Sequence, residues 1–275
     1  MRDYSAAMNE QAASVAFTRQ SAVFDKLYSA DTIIRYKRQR VWDHLEKYLQ
    51  PQSAILELNA GTGEDAIHLA AAGHHIHATD ISEGMLSHLA EKTRQYGLQK
   101  NISREQCSFT KLDTLQLKGP YDAVFSNFAG LNCTQQLDKV LHSLTPLVKP
   151  GGVVTLVVLP PFCLWEFLFI FKGKFRTALR RFAGKRGARA HLEGTYFRCW
   201  YYKPSYIRQQ LKDSFDPVAL EGLCTLVPPS YLQHFAEKRP ALYRFLEKME
   251  NKWKHRWPWK YIGDYYIITL RKKKA

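Results

Sequence analysis

Apolar residues recur along the chain with two different periods. Val15, Phe17, Val23, Phe24 and Leu27 fall at helical intervals across 11–28; Ile33, Ile34, Trp42, Leu45 and Leu49 do the same after Asp31, a suitable N-cap, until Pro51 stops the run. Both stretches read as helices that pack on a sheet and close over its pocket, or that only cover a sheet face. From residue 54 short apolar runs alternate with helical spacing. Strands are predicted over 54–58, 75–80, 106–110, 121–127 and 153–159. Helices are predicted over 64–72, 83–96 and 137–147, the first ended by Gly73 and the second capped by Ser82. This alternation implies an α/β fold on a doubly wound parallel sheet with right-handed crossovers.

The regularity breaks at Pro160-Pro161 and resumes near residue 205. A helix over 205–215, a strand over 217–227, a long basic helix over 229–253 and a last strand over 264–270 are expected there. The chain therefore divides into a helical cover (1–50), a core (51–159), an insertion after the fifth strand (160–203) and a C-terminal part that completes the sheet (204–275).

The first strand runs directly into Asn59-Ala60-Gly61-Thr62-Gly63 and then a helix. Glycines there permit positive φ and a close backbone approach, and the helix start turns its free amides and positive dipole end to the same point. Strand, loop and helix make a nucleotide-type pocket. Gly61-x-Gly63-x-x-Ala66, with Asp80 at the next strand tip, also satisfies a dinucleotide fingerprint, and a bare strand-to-helix turn uses the same glycines. Glu57 is the one charged residue inside the first strand.

Length and composition suit a soluble protein with a large core. Cys107, Cys133, Cys163, Cys199 and Cys224 are scattered without a C-x-x-C pair, which argues against a disulfide framework or a metal site and for a reducing, cytoplasmic setting. Residues 1–20 lack an apolar core behind a basic end, so no signal peptide is expected. Charge changes the picture more. Of the net +15, none arises in residues 1–150, which hold 16 basic and 16 acidic residues, whereas 151–275 hold 24 and 9. A partner drawn by charge meets the second half. Within it, the apolar run 165–171 is followed by 172–190 with eight basic residues and no acidic one. Pro160-Pro161 and Glu166 make the run too short to span a membrane, leaving a lid or a membrane-surface face at 165–190.

Glu57-Leu-Asn-Ala-Gly-Thr-Gly63, Asp80-Ile-Ser82 with Met85, Leu112-Asp113, Phe125-Ser-Asn-Phe128 and Leu147-Val-Lys-Pro-Gly-Gly152 together resemble, in order and spacing, the class I S-adenosylmethionine-dependent methyltransferases of small-molecule type. The resemblance covers about 50–160 and implies a Rossmann-like, mostly parallel, seven-stranded sheet. Asn59 stands where the family has its first glycine, and Asn tolerates left-handed angles. The resemblance implies that Glu57, Asn59, Ala60, Gly61 and Gly63 hold the methionine end of S-adenosylmethionine. It gives Asp80 the ribose hydroxyls, Ile81 and Met85 the adenine faces, and Asp113, beside Leu112, the exocyclic amine. Ser126, Asn127 and Phe128 would face the sulfonium and the acceptor.

With this cofactor no strong base is required. His191, His234, Tyr196, Tyr201 and Tyr202 are weak candidates, since a lone His or Tyr in an aromatic segment more often packs. An Asn-Pro-Pro-Tyr motif is missing after the fourth strand, as is a Pro-Cys pair, which points away from base-amine and pyrimidine-ring methylation and toward a small or lipid-like acceptor. The basic, aromatic insertion suits a hydrophobic, acidic substrate met at the inner membrane surface. The same charge also suits RNA, and a non-catalytic scaffold is the third reading.

Overall fold

The computed structural model describes residues 5–28, 31–232 and 234–274; the side chains of Phe24 and Leu27 lie outside the described residues. Strands β1 (Ala54–Leu58), β2 (His75–Asp80), β3 (Ile102–Gln106), β4 (Tyr121–Ser126) and β5 (Val148–Val158) pair in parallel. A hairpin of β6 (Ala188–Leu192) and β7 (Thr195–Cys199) stands apart from them. Strands β8 (Phe215–Leu223) and β9 (Tyr265–Lys272) join antiparallel, giving one seven-stranded sheet of order β3-β2-β1-β4-β5-β9-β8.

Helices α1 (Ala6–Tyr28), α2 (Thr32–Leu45), α3 (Glu64–Ala71), α4 (Glu83–Gln95) and α5 (Leu137–Leu144) belong to the first half. Helices α6 (Leu164–Leu168), α7 (Phe175–Leu179), α8 (Pro204–Leu211), α9 (Phe235–Lys238) and α10 (Pro240–Trp253) follow. Because side chains alternate along a strand, β1 feeds two cores. Ile55 packs with Val41 and Leu45 of α2, Leu69 of α3 and Leu89 of α4. Leu56 and Leu58 pack with Val140 and Leu144 of α5 and Ile207 of α8 on the other face. Burial on both faces is why the central strands read as nearly unbroken apolar runs.

Two predicted elements differ. The third strand lies over Ile102–Gln106, about four residues before the predicted 106–110. It is an edge strand in which only Ile102 is buried, so its charged pattern hid it, and Ser108 instead caps a 3₁₀ turn by accepting the Thr110 amide. The predicted helix over 229–253 is interrupted: α9 ends at Lys238 and α10 starts at Pro240, whose ring and missing N–H suit a first turn and break an interior.

Polar groups tie α2 to the C-terminal part. Arg40 is buried and pairs with Glu221 at 3.1 Å and Glu250 at 3.2 Å, while His44 bonds Glu221 at 2.6 Å and Thr269 at 2.8 Å. Burial alone would raise the Glu221 carboxyl, but His44, Arg40 and Lys254 hold it well below the usual carboxylate range.

The insertion is held from beneath. Buried Arg181 donates at 2.6 Å to both Glu166 and Asp264, and the Leu164 amide donates to the Ile262 carbonyl at 2.9 Å. The β6–β7 hairpin packs on α1, where Phe17 and Phe197 meet at 6.0 Å and the Asn9 amide group donates to the Cys133 and Arg198 carbonyls. Among the described residues no helix is long and apolar enough to cross a membrane.

Candidate active site

A cleft of about 930 Å³, including its mouth, opens at the carboxyl ends of β1, β2 and β4, where a doubly wound sheet places its ligands. Its floor is the glycine loop. Asn59 (φ 49°), Gly61 (φ 58°) and Gly63 (φ 82°) are all left-handed, so Asn59 takes the conformation for which its residue type is suited. A Cβ on Gly63 would lie 2.1 Å from Leu89, whereas a Cβ on Gly61 would meet nothing. Gly63 is thus required by packing, and Gly61 keeps the backbone open to the cleft.

Asp80 ends β2 and fixes the loop. It accepts the Gly61 amide at 2.9 Å through one oxygen and the Ser82 amide at 2.8 Å through the other, which leaves further lone pairs on both. Its carboxyl is raised by burial against those lowering amides. Ile81 and Met85 form an apolar wall beside it.

Glu57 lies beneath the floor, fully buried, with Oε2 lacking a hydrogen-bond partner. Burial, then Asp65, raise its carboxyl well above the usual range; Arg38 opposes this and Asp80 adds to it. Asp65 is a hub that accepts from Arg38 at 2.9 Å, from the Trp42 indole at 2.8 Å and from Asn127 at 2.9 Å. Asp65 and Asp80 on the wall of an open backbone cradle, next to apolar side chains, fit a nucleoside that carries a cationic tail.

The structure separates the other predicted residues. Ser126 does not face the cleft: its hydroxyl donates to Asn59 at 2.6 Å and orients it, while the Asn59 amide group donates to the Asn127 carbonyl at 2.9 Å. Asn127 and Phe128 do line the wall. Leu112 is in the core and Asp113 is exposed, away from the cleft. Asp113, to which the resemblance gave the exocyclic amine, therefore does not line the cleft, where the β3 tip presents Cys107, Ser108 and Phe109.

None of the base candidates lines the cleft. His191 and Tyr196 pack against each other, tilted, with ring centroids 4.3 Å apart on the β6–β7 hairpin, Tyr201 lies under the Arg181 guanidinium, Tyr202 donates to the Thr134 carbonyl, and exposed His234 bonds Glu237 at 2.7 Å. Nor does the insertion wall the cleft. Helices α1 and α2 do so, through Glu10, Ala13, Phe17 and Arg38. Helix α1 is strapped there by Thr18 to Ser82 at 2.7 Å and by Asp25, which accepts from Thr62 at 2.6 Å. The sequence pattern marked α1 as a cover but carried no signal for Glu10, because one acid on a helix is ordinarily solvated.

Residues 55–152 match the methyltransferase domain family. This chain is 31% identical over 146 residues to a demethylmenaquinone methyltransferase of Clavibacter sepedonicus, covering 50% of this chain and 56% of that protein. It is 26% identical over 121 residues to the tRNA 5-carboxymethoxyuridine methyltransferase of Escherichia coli K12, covering 42% and 46%. The chain thus spans about half the length of the curated relatives it matches. In fold it is similar, with a TM-score of 0.60 and 15% identity over 100% of this chain and 93% of the other, to the 1,6-didemethyltoxoflavin-N1-methyltransferase of Burkholderia thailandensis, solved with S-adenosylhomocysteine. Residues 55–152 thus match a methyltransferase domain, and the fold is similar to that of solved S-adenosylmethionine-dependent methyltransferases.

Proposed function

We propose that this protein transfers a methyl group from S-adenosylmethionine to a small, hydrophobic or lipid-like acceptor. The observation that carries the proposal is the open glycine loop held by Asp80, with Asp65 on the same wall and apolar Ile81 and Met85 beside it, a cradle suited to a nucleoside with a cationic tail. When bound, the cofactor supplies a methyl already made electrophilic by its sulfonium, so the protein's task is to align an acceptor and exclude water. Asp80 binds the ribose hydroxyls, the Asn59–Gly63 backbone and buried Glu57 hold the methionine end, and Ile81 and Met85 flank the adenine. Phe17, Phe128 and Arg38 bound the space left for the acceptor, and their aromatic and cationic character suits an apolar molecule with an acidic or polar head. Similarity to demethylmenaquinone methyltransferases supports an acceptor of that kind.

Incubating the purified protein with labelled cofactor and a host lipid and metabolite extract should label an organic-soluble product. Label only in tRNA would instead favour the RNA reading, which the E. coli relative and the basic second half support.

Glu10 of α1 takes the place of the missing acid at the β3 tip. Its Oε2 accepts the Ser108 hydroxyl at 2.7 Å and the Thr110 hydroxyl at 3.0 Å, while Oε1 has only a long contact with Thr134 at 3.4 Å. Ser108 donates to Glu10 and accepts the Thr110 amide, so the free acceptor capacity at this tip belongs to Oε1. We infer that Glu10 receives the adenine amine. By calorimetry the wild type should bind S-adenosylhomocysteine at least tenfold more tightly than its 6-oxo analogue, S-inosylhomocysteine, and Glu10→Gln, whose amide can also donate, should erase most of that preference. An unchanged ratio in Glu10→Gln removes Glu10 from base recognition, whatever the absolute affinity.

A further inference from the structure

We propose that the outer side of the insertion, 164–186, docks on an anionic phospholipid surface. The segment springs from the carboxyl end of β5, the edge of the sheet at which the cleft opens. Its side chains sort sharply. Glu166, Phe169, Ala178 and Arg181 are buried, whereas Leu168, Phe171, Phe175, Leu179 and Phe182, spaced three or four residues apart, face solvent. Phe171 is 82% exposed, Phe175 57%, Phe182 55% and Leu179 51%. An apolar set of this kind normally collapses inward. Here the buried Arg181 contacts to Glu166 and Asp264 pin the opposite side to the core, so the apolar side chains stay outside.

Charge identifies the occupant. Lys172, Lys174, Arg176, Lys185, Arg186 and Arg189 are exposed, and among the described residues none forms an ion pair with a carboxylate. The one acid in the segment, Glu166, is consumed by Arg180 and Arg181. Exposed Phe and Leu among cations that no carboxylate neutralises match an interface of acyl chains under anionic headgroups. A nucleic acid would satisfy the cations yet leave Leu168 and Leu179 in water, and a second copy of this basic segment would be repelled.

The proposal goes beyond the methyl-transfer reading and is tested without cofactor, so either can fail alone. The full chain should co-sediment at low salt with phosphatidylcholine vesicles containing phosphatidylglycerol and not with phosphatidylcholine alone. Lys172→Ala/Lys174→Ala/Arg176→Ala should weaken partitioning about a hundredfold, at about fivefold per cation removed. Phe171→Ser/Phe175→Ser should abolish the fraction that resists added salt, with the unfolding midpoint unchanged because both rings are exposed. The proposal is overturned by an absence of binding to the anionic vesicles, by partitioning insensitive to the Phe substitutions, or by tRNA binding through the same cations without vesicle binding. A dimer in sedimentation velocity that Phe171→Ser dissolves would also overturn it, since the face then belongs to a second copy.

Discussion

Asp80→Ala is expected to weaken binding of S-adenosylmethionine by at least about a hundredfold while the protein remains folded. Two effects combine. The substitution removes the carboxylate at the β2 tip that the proposed binding mode gives to the ribose, and charge-assisted hydrogen bonds contribute about 1.5–3 kcal/mol each. It also releases the Gly61 amide, held at 2.9 Å, so the loop loses the contact that fixes its shape. A hundredfold is about 2.7 kcal/mol, less than two such bonds supply. The fold should tolerate the change because burial raises the Asp80 carboxyl. A raised carboxyl binds more protons folded than unfolded, so its ionisation opposes folding increasingly as pH climbs through that window, which offsets part of the acceptor that the Gly61 and Ser82 amides lose, and Gly61 borders the cleft, where water can take its place. Asp80→Asn should fall between, since an amide oxygen still accepts one backbone amide. Calorimetry with S-adenosylhomocysteine and a thermal melt of the same sample decide the matter; normal affinity in the alanine variant would place the cofactor elsewhere.

The largest expected loss of stability lies far from the cleft, at Glu250. One carboxylate accepts the amides of Cys224, Thr225, Leu226 and Val227 at 2.8–2.9 Å, together with the Tyr36 hydroxyl at 3.1 Å and Arg40 at 3.2 Å. Glu250→Ala leaves four backbone donors, mostly buried, without an acceptor, at about 1–3 kcal/mol each before water enters, and deprives buried Arg40 of one of its two carboxylates. A loss of at least about 4 kcal/mol is expected, a large share of the 5–15 kcal/mol typical of a whole domain. Glu250→Gln should lose less, because its amide oxygen still accepts. The urea midpoint is the measurement, and a shift worth under about 1 kcal/mol would show that this loop finds other acceptors. Cofactor affinity should fall in parallel, because Arg40 and the cleft residue Arg38 share α2.

These two sites mark the boundary between what is legible locally and what is not. Asp80 was legible because it ends a period-two run one helix after a glycine turn, and that turn needs left-handed residues at fixed positions. The parallel, doubly wound arrangement of the first five strands followed from the same local alternation. The β3 register was not legible: Ser103, Arg104, Glu105 and Gln106 show no apolar period because an edge strand leaves them wet. The break at Pro240 was readable in principle, since proline cannot continue a helix, but it was masked by basic residues on both sides. Glu10 and Glu250 look in sequence like solvated helix acids, and only their burial against Ser108 or the 224–227 backbone sets them apart.

By itself, then, the sequence determined the α/β alternation, the glycine loop with its acid Asp80, and the uneven charge, because each depends on neighbours a few residues away. Tertiary structure alone decided which side chains of α1 and α2 wall the cleft, that Glu57 is buried with its Oε2 lacking a partner among the described residues, and that the insertion turns Phe171, Phe175 and Phe182 outward. Those facts depend on side chains brought together from opposite ends of the chain, such as Arg181 with Asp264, and no local pattern encodes such a meeting.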